Sequence, residues 1–381
     1  MKQIYLDYAA TTPVVKEVYD EMKDYFLKNY GNTSSLHILG QNADEKVEKV
    51  REKIKQKLNA KDHKVIFTSG GTESNNLAIK GLVYANKEKK HIIISKIEHD
   101  CILKTAKFLE KQGYEVTYLN VDKEGFIDLK QLEKSIKKET ILVSIMHANN
   151  EIGTLQNLKE IGKICKEKKV LFHTDACQSF TKEKIDLEEF NIDLITINAH
   201  KIYGPKGIGA LVIKNGIKLT PLLHGGGHEY GFRSGTLNVP AIIGFGKAID
   251  VISKEDIKKM IDLRNYMIKE ILKKIPTSKL NGPTENRLCN NLNFLFNYIE
   301  GESILLQLDM EGICISTGSA CSSNTLETNH VANAIGIPKD KANGIIRISL
   351  GIETTKEETD IFIEKLIKIV KRLTDMSPLT K

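Results

Sequence analysis

Lys201 is the first residue whose place in the sequence suggests chemistry. It follows a β-rich run at 194–197 and precedes the Gly-Pro turn at 204–205. Most lysine side chains end in water, but burial lowers the pKa of the ammonium and leaves an amine that can form a Schiff base. Asp175 follows an earlier run, at 170–173, in the same way, and a carboxylate there would either hold a protonated pyridine nitrogen or cap a helix N-terminus. Together the two residues predict a pyridoxal phosphate site.

A run of small and polar residues at 68–76 predicts where a phosphate would bind. It contains Gly71 and Thr72, follows a strand-like run and opens a predicted helix. Backbone N–H groups at a helix N-terminus, together with the helix dipole, favour an anion there. The run has neither the P-loop nor the dinucleotide glycine pattern, and taken alone it is better explained as a strand–helix turn capped by Thr72. If it binds a ligand, we expect a single phosphate monoester rather than a nucleotide.

Cys321 is the candidate nucleophile. It lies in a run of Gly, Ser and Thr at 316–323 with little apolar cover, which predicts a loop that presents a thiol. Most isolated cysteines are small buried apolar residues, and that is the plain alternative for Cys321. The attacking species is the thiolate, so Cys321 would have to lose its proton first.

The elements that position these residues follow an alternating pattern. Between about residues 62 and 215, seven short β-rich runs alternate with amphipathic helices, which predicts an α/β fold with a mostly parallel seven-stranded sheet covered on both faces. Ligands collect at the carboxyl ends of such strands, where the polar motifs stand. After 281–283 strands and helices mix, which predicts a smaller α/β domain. We expect a large domain at 13–257, and a small domain of 1–12 and 258–381 that carries the cysteine loop.

The bulk composition excludes several classes of protein. The 381 residues carry a net charge of +7, but the lysines are scattered and form no basic stripe with interleaved aromatic residues, so direct nucleic-acid binding is not expected. No apolar run reaches the length of a membrane span, and the first residues show no secretory core. The six cysteines are dispersed and are expected to be reduced thiols. We therefore expect a cytoplasmic protein that does not bind membranes.

Longer motifs spread along essentially the whole chain carry a family resemblance. They lie at 5–13, 146–153, 198–207, 224–237 and 347–351. Together they resemble the pyridoxal-phosphate-dependent cysteine desulfurases of the NifS/IscS type, and the cysteine loop resembles the longer loop of that family's first group. The resemblance implies the aminotransferase-like scaffold known as fold type I, within the class V aminotransferases, and pyridoxal 5'-phosphate as the cofactor.

The resemblance also implies a role for each matching position. The catalytic residues would be Cys321, Lys201 as the Schiff-base lysine, and His99 as the residue that stacks on the ring and moves protons. The cofactor would be bound by Gly71, Thr72, His99, Asn150, Asp175, Gln178, Asn198, His200 and Lys201, and by Thr236 of a second subunit. The substrate carboxylate would be bound by Asn150 and Arg347, with Asn32 assisting.

The implied activity is the removal of sulfur from L-cysteine, which leaves L-alanine and a persulfide on Cys321. Iron–sulfur cluster assembly and the thiolation of tRNA or cofactors all begin from such a persulfide, so the sulfur-acceptor protein stays open. A homodimer is implied because Thr236 would complete its partner's phosphate site. No intrinsic metal is expected, and Cys321 would at most ligate an iron–sulfur cluster transiently. The chain ends at 377–381 and is expected to lack the C-terminal extension by which some members dock an iron–sulfur scaffold, which also leaves the acceptor open.

Other functions and some departures from the pattern also have to be weighed. The rival functions are a selenocysteine lyase, another class V enzyme, and a non-catalytic subunit of a sulfur system.

His224 and His228 suggest a metal pair, but the glycines between them disfavour the helix that would aim both rings at one ion, and no third ligand is evident. Asn198 stands where the family usually has a serine, and Thr33 replaces a usual proline.

Overall fold

The computed structural model describes residues 3–86, 88–317 and 329–377. Its strands are β1 (Ile4–Tyr5), β2 (His63–Thr68), β3 (His91–Ser95), β4 (Glu115–Leu119), β5 (Thr140–Ser144), β6 (Leu171–Asp175), β7 (Leu194–Asn198), β8 (Gly209–Lys214), β9 (Ser278–Leu280), β10 (Asn291–Phe296), β11 (Ile313–Cys314), β12 (Ser316–Thr317) and β13 (Ile345–Ser349). Its helices are α1 (Lys16–Met22), α2 (Asp24–Leu27), α3 (Ile38–Lys57), α4 (Gly71–Ala85), α5 (Asp100–Glu110), α6 (Leu129–Ser135), α7 (Leu158–Glu167), α8 (Val239–Ala248), α9 (Lys254–Lys274), α10 (Gly301–Met310), α11 (His330–Ala334), α12 (Lys339–Ala342) and α13 (Lys356–Met376). Over these ranges no helix combines the length and the apolar character needed to cross a membrane.

The larger sheet has the expected architecture. Among the described residues it contains seven strands in the order β2-β8-β7-β6-β5-β3-β4. Strand β8 runs antiparallel to both of its neighbours, and the other pairs are parallel. Each of the seven predicted runs falls on one of these strands, with ends displaced by at most about two residues. The prediction of a mostly parallel seven-stranded sheet is confirmed.

Helices cover both faces of this sheet because successive strand residues point to opposite sides. In β3, Ile92 and Ile94 join an apolar cluster with α4 and α5, whereas Ile93 joins the main core, to which α7 and α8 contribute. With both faces buried, the polar groups that the strands carry can reach a ligand only at the strand ends.

The second sheet has four strands in the order β12-β13-β10-β9, all paired antiparallel. Strand β1 pairs in parallel with β11, and Asp7 forms a bridge to Ser349 at the end of β13. The N-terminal segment therefore lies with the C-terminal elements. The division of the chain at 257/258, which falls within α9, stays a prediction.

The residues that were predicted to do chemistry lie at the carboxyl ends of strands in the large sheet. Strands β6 and β7 are parallel neighbours that end at Asp175 and Asn198, and Lys201 follows in the turn after β7. In that turn Tyr203 has a φ of 69°, and its backbone N–H donates to Thr12 Oγ1 at 2.8 Å. The N-terminal segment thus helps to hold the turn that carries Lys201.

A buried ion pair fixes the segment 224–237 against the edge of the large sheet. The side chains of Arg51 and Glu229 are 6% and 1% exposed, and Arg51 Nη1 lies 2.9 Å from Glu229 Oε2. The same oxygen accepts a 2.6 Å hydrogen bond from the backbone N–H of Phe67 in the edge strand β2. Because both charges are removed from water, each depends on the other.

We expect Glu229→Gln to destabilise the protein by about 3 kcal/mol, because it leaves the Arg51 charge buried and unpaired. The change should appear as a lower midpoint of urea denaturation. Glu48→Gln is the matched control, since Glu48 also contacts Arg51 but its side chain is 49% exposed and should contribute less than about 1 kcal/mol. Equal midpoints for the two variants would contradict the assignment.

Candidate active site

A cavity of about 320 Å³ lies at the carboxyl ends of β6 and β7, where the N-terminal segment and β13 approach the large sheet. Nine of the residues singled out from the sequence line it: Gly71, Thr72, His99, Asn150, Asp175, Asn198, His200, Lys201 and Arg347. They come from positions spread over most of the chain, so their convergence is a property of the fold.

Three other predicted site residues do not line this cavity, and a fourth is not described. Gln178 is buried beside it, and its Nε2 donates to the carbonyl of Ala9 at 3.0 Å. Asn32 is exposed and accepts a hydrogen bond from the Ser34 backbone at 3.0 Å. Thr236 is part of the segment 224–237 and is absent from the cavity lining. Cys321 lies outside the described residues.

Asp175 supplies the negative charge of the cavity. The carboxylate ends β6 and is 7% exposed. Its Oδ2 accepts a 2.7 Å hydrogen bond from Asn75 Nδ2, and its Oδ1 accepts one of 2.9 Å from the backbone N–H of Cys177. Both carboxylate oxygens therefore have a donor within the protein. The group is thus held in one orientation, ready to face a positive partner.

The N-terminus of α4 forms one end of the cavity. Gly70, at the N-cap, has a φ of 153°, a conformation that side-chain-bearing residues rarely adopt. A Cβ on Gly71 would lie 2.7 Å from Cys177 Sγ, so that position requires glycine for space. The backbone N–H groups at Gly71 and Thr72 have no acceptor within the helix. They form an anion-binding end in the position where a phosphate was expected.

Two further residues stand at this end of the cavity. Asn198 is 3% exposed, and its Oδ1 has no hydrogen-bond partner among the described residues. Burial, with a smaller effect of the Lys201 charge, lowers the pKa of His200 to about 4. A neutral His200 can donate one hydrogen bond to an anion but brings no charge to it.

Arg347 forms the opposite wall. It lies in β13 and is 5% exposed. Its Nη2 is 2.8 Å from Asp7 Oδ1, and its Nη1 donates to the carbonyl of Asn150 at 3.3 Å. Its Nε is buried and has no hydrogen-bond partner among the described residues. The guanidinium is therefore fixed on two sides and keeps a donor for an incoming carboxylate.

His99 is held as the N-cap of α5. Its Nδ1 accepts a 3.2 Å hydrogen bond from the backbone N–H of Cys101. Burial, and then the charge of Lys201, lowers the pKa of the imidazole. The ring is therefore neutral at pH 7, and since Nδ1 accepts, its proton is on Nε2.

The structure also brings in residues that sequence reasoning gave no role. Asp7, Asn75, Cys101 and Ser316 line the cavity. Asp7 belongs to the motif at 5–13, and this motif is the sequence feature that could have identified it. The sequence does not show that Asp7 would contact Arg347. Asn75 belongs to the run at 68–76, in which Gly71 and Thr72 were the residues predicted to bind a phosphate.

The arrangement fits a phosphorylated pyridine aldehyde. The carboxylate of Asp175 can pair with a ring N–H, and Lys201 supplies an amine. The N-terminus of α4 can receive the phosphate. Two orphaned buried acceptors, Asn198 Oδ1 and Gln178 Oε1, would gain partners from donors on such a ligand or on ordered water. A cavity of about 320 Å³ is large enough for a ligand of this size.

Comparisons with known proteins agree with this chemistry. The family model for aminotransferase class-V matches residues 4–362. Cysteine desulfurase IscS from Dictyoglomus turgidum is 51% identical over 99% of this chain and 97% of that protein. A solved NifS-like protein superposes with a TM-score of 0.91 at 37% identity, covering 98% of this chain and all of that one.

A second solved structure, described as SspA in complex with cysteine, has a TM-score of 0.83 at 38% identity and covers 93% of this chain and 100% of its own. These likenesses confirm the aminotransferase-like fold type I that was expected from the motifs, and the family they identify depends on pyridoxal phosphate. The chain belongs to the class V aminotransferase family, in its cysteine desulfurase branch.

Proposed function

We propose that this cysteine desulfurase takes sulfur from L-cysteine in the cavity at the ends of β6 and β7, and that Cys321 receives it as a persulfide. The observation that carries the proposal is the placement of Asp175, Lys201 and Arg347 around one cavity. These three groups suit a pyridine nitrogen, an aldehyde carbon and a substrate carboxylate. When bound, pyridoxal phosphate accepts the electron pair released at the substrate Cα.

The cofactor would be held by groups at three places around the cavity. Asp175 would pair with the ring nitrogen, and Gln178 would bond the ring hydroxyl. Lys201 would hold the aldehyde carbon as a Schiff base. The phosphate would be bound by Gly71, Thr72, Asn198 and His200, and by Thr236 of a second subunit.

The substrate would be oriented by its carboxylate. Arg347 offers its Nε and shares Nη2 with Asp7, so a second carboxylate would join or replace Asp7 on the same guanidinium. Asn150 lies at the same wall, through its contact with Arg347. Asn32 is exposed in one subunit and would take part only if a second subunit brings it to the cavity.

Two residues would handle protons. Lys201 would remove the proton from the substrate Cα, since a neutral amine can act as a general base. His99 in its neutral form carries a proton on Nε2, so we assign it first as a donor of that proton. To accept the thiol proton of Cys321, the ring would have to become doubly protonated or change tautomer.

The described residues before and after Cys321 are held by contacts with the rest of the chain. Ser316 in β12 pairs with Arg347, and Thr317 follows it. On the other side, His330 Nε2 donates to the carbonyl of Glu98 at 2.9 Å, and Asn329 Nδ2 donates to Glu151 at 2.7 Å. Thr317 and Asn329 are the described residues that come nearest to Cys321 along the chain on its two sides.

We further propose a homodimer and an acceptor protein outside it. A set of large apolar side chains at 19–38 is exposed in the single chain: Tyr19, Phe26, Leu27, Tyr30, Leu36 and Ile38. Contiguous exposure of this kind favours a protein interface. A second copy on this surface would account for the exposure and would let Thr236 reach the neighbouring cavity. A fully active monomer in sedimentation would contradict this.

The name IscS, which the curated relatives carry, fits delivery of sulfur to iron–sulfur cluster assembly, with tRNA or cofactor thiolation as the alternative.

The proposed compartment is the cytoplasm. The five cysteines among the described residues are free thiols. Unpaired thiols are typical of reducing compartments.

Lys201→Ala should abolish the yellow absorbance of the lysine-bound cofactor and lower turnover by about 10²- to 10⁴-fold, because the variant loses both the attachment point and the base. The check is an absorption spectrum together with a sulfide assay. Lys206→Ala is the matched control, because Lys206 is exposed in the same turn and should leave both unchanged. A yellow Lys201→Ala protein would refute the cofactor assignment.

Cys321→Ser should keep the absorbance of the lysine-bound cofactor and its response to added cysteine, yet release no sulfide and form no protein persulfide. The hydroxyl of serine cannot accept sulfane sulfur. Sulfide release and mass spectrometry of the protein provide the measurement. Cys314→Ser should behave as the wild type. Normal sulfide release by Cys321→Ser would remove this residue from the mechanism.

Arg347→Ala should lower kcat/KM for cysteine by about 10- to 100-fold, mainly through KM, because a charged hydrogen bond to the carboxylate is lost. Steady-state kinetics with cysteine check it. Arg372→Ala, which removes an exposed arginine of α13, serves as the control. An unchanged KM in the Arg347 variant would argue against a carboxylate site.

A further inference from the structure

Arg233 forms an ion pair that the proposed mechanism does not use, with a carboxylate in the first turn of α4. Arg233 Nε donates to Glu73 Oε1 at 2.8 Å, and Arg233 Nη2 donates to Glu73 Oε2 at 3.4 Å. The side chains of Arg233 and Glu73 are 20% and 17% exposed. The pair is therefore bidentate and largely removed from water, which fixes the two groups in one geometry.

Glu73 also holds the turn that leads into α4. Its Oε2 accepts a 2.8 Å hydrogen bond from the backbone N–H of Ser69. A carboxylate that reaches back in this way satisfies a donor at the start of its own helix. Burial raises the pKa of Glu73, but the hydrogen bonds from Arg233 and Ser69 outweigh burial, and the pKa lies below its usual value. Glu73 therefore carries a negative charge at neutral pH.

This negative charge lies at the end of the helix where the phosphate is expected. Glu73 directly follows Gly71 and Thr72, whose N–H groups form the anion-binding end of the cavity. A carboxylate in a first turn interacts favourably with the helix dipole, but it repels a second anion bound there. The turn thus uses a charge that a phosphate disfavours. Arg233 removes this conflict, because it neutralises Glu73 and leaves the hydrogen bond to Ser69 in place.

The segment 224–237 holds the backbone of Arg233. Within this segment the backbone N–H of Gly235 donates to His228 Nδ1 at 3.3 Å. Glu229 anchors the same segment to the edge of the large sheet through its buried ion pair. The ion pair of Arg233 therefore joins two parts of the protein that other contacts already hold, namely this segment and α4.

We infer that Arg233 is a positioning residue for the phosphate end of the cavity: it holds the Glu73 carboxylate in place and neutralises it, so that the N-terminus of α4 can receive a phosphate. The inference rests on the proposed function, since it concerns the phosphate of the proposed cofactor. Neither Arg233 nor Glu73 is among the described residues that line the cavity. The effect is therefore electrostatic, and a ligand without a phosphate should not depend on it.

The test compares pyridoxal phosphate with pyridoxal, which lacks the phosphate, as ligands of the cofactor-free protein. Binding is followed by the absorbance of the lysine-bound aldehyde, and the ratio of the two dissociation constants isolates the contribution of the phosphate. Arg233→Met keeps an aliphatic side chain and removes the charge. We expect it to weaken binding of pyridoxal phosphate about tenfold and that of pyridoxal less than about twofold, because the uncompensated carboxylate repels only the phosphate.

A second substitution separates the charge of Arg233 from its packing. When Arg233→Met is combined with Glu73→Gln, no charge is left unpaired, and the glutamine can still accept from the N–H of Ser69. The ratio should then return to within about twofold of the wild-type value. Glu73→Gln alone should bind pyridoxal phosphate, relative to pyridoxal, at least as tightly as the wild type. Arg372→Met, which removes an exposed arginine of α13, is the matched control and should leave the ratio unchanged.

Two results would overturn the inference: an equal loss of both ligands in Arg233→Met, or a loss of phosphate preference that persists in the double variant. Either would mean that Arg233 acts through packing alone. If Arg233→Met does not fold, Glu73→Gln decides, because a weaker preference for the phosphate in that variant also contradicts the inference. A wild-type protein that binds neither ligand at a lysine would instead contradict the proposed function, so the two failures are distinct.

Discussion

The ion pair between Arg347 and Asp7 joins the parts of the molecule that make the active site. Arg347 belongs to the small sheet, Asp7 to the N-terminal segment, and the carbonyl that Arg347 also contacts belongs to Asn150, which follows β5 of the large sheet. A buried guanidinium is costly unless its donors are satisfied. Three separated segments of the chain therefore meet at the Arg347 guanidinium. A substrate carboxylate can bind to the same guanidinium, so no further positive group is needed for it.

The electrostatics of the site follow from burial. Both histidines at the cavity are neutral, since burial lowers the pKa of His99 and that of His200. The positive groups that face an anion in the cavity are therefore the N-terminus of α4, Lys201 and Arg347. Two donors hold the Asp175 carboxylate in one orientation. The site separates a fixed negative charge for the ring from positive groups for the phosphate and carboxylate, which is the arrangement that the cofactor requires.

The sequence predicted those parts of the structure that follow from local pattern. The strands before Asp175 and Lys201 could be predicted because a strand that is buried on both faces has a distinctive composition. The site could be predicted because ligands collect at the carboxyl ends of such strands. The antiparallel direction of β8 could not be predicted, because an apolar run has the same composition whichever way the strand runs. Nor was the contact of Asp7 with Arg347, which are 340 residues apart.

Burial also explains why one thiol can be selected over others. Cys101 and Cys177 line the same cavity as Lys201. Burial, reinforced by the charge of Asp175, raises the pKa of Cys101 to about 12 and that of Cys177 well above its usual value. Both remain protonated at neutral pH, and a protonated thiol does not attack sulfur. Burial, with Asp175 as the smaller contribution, thus keeps both thiols protonated. Neither of them therefore competes with Cys321, the sulfur acceptor that we propose.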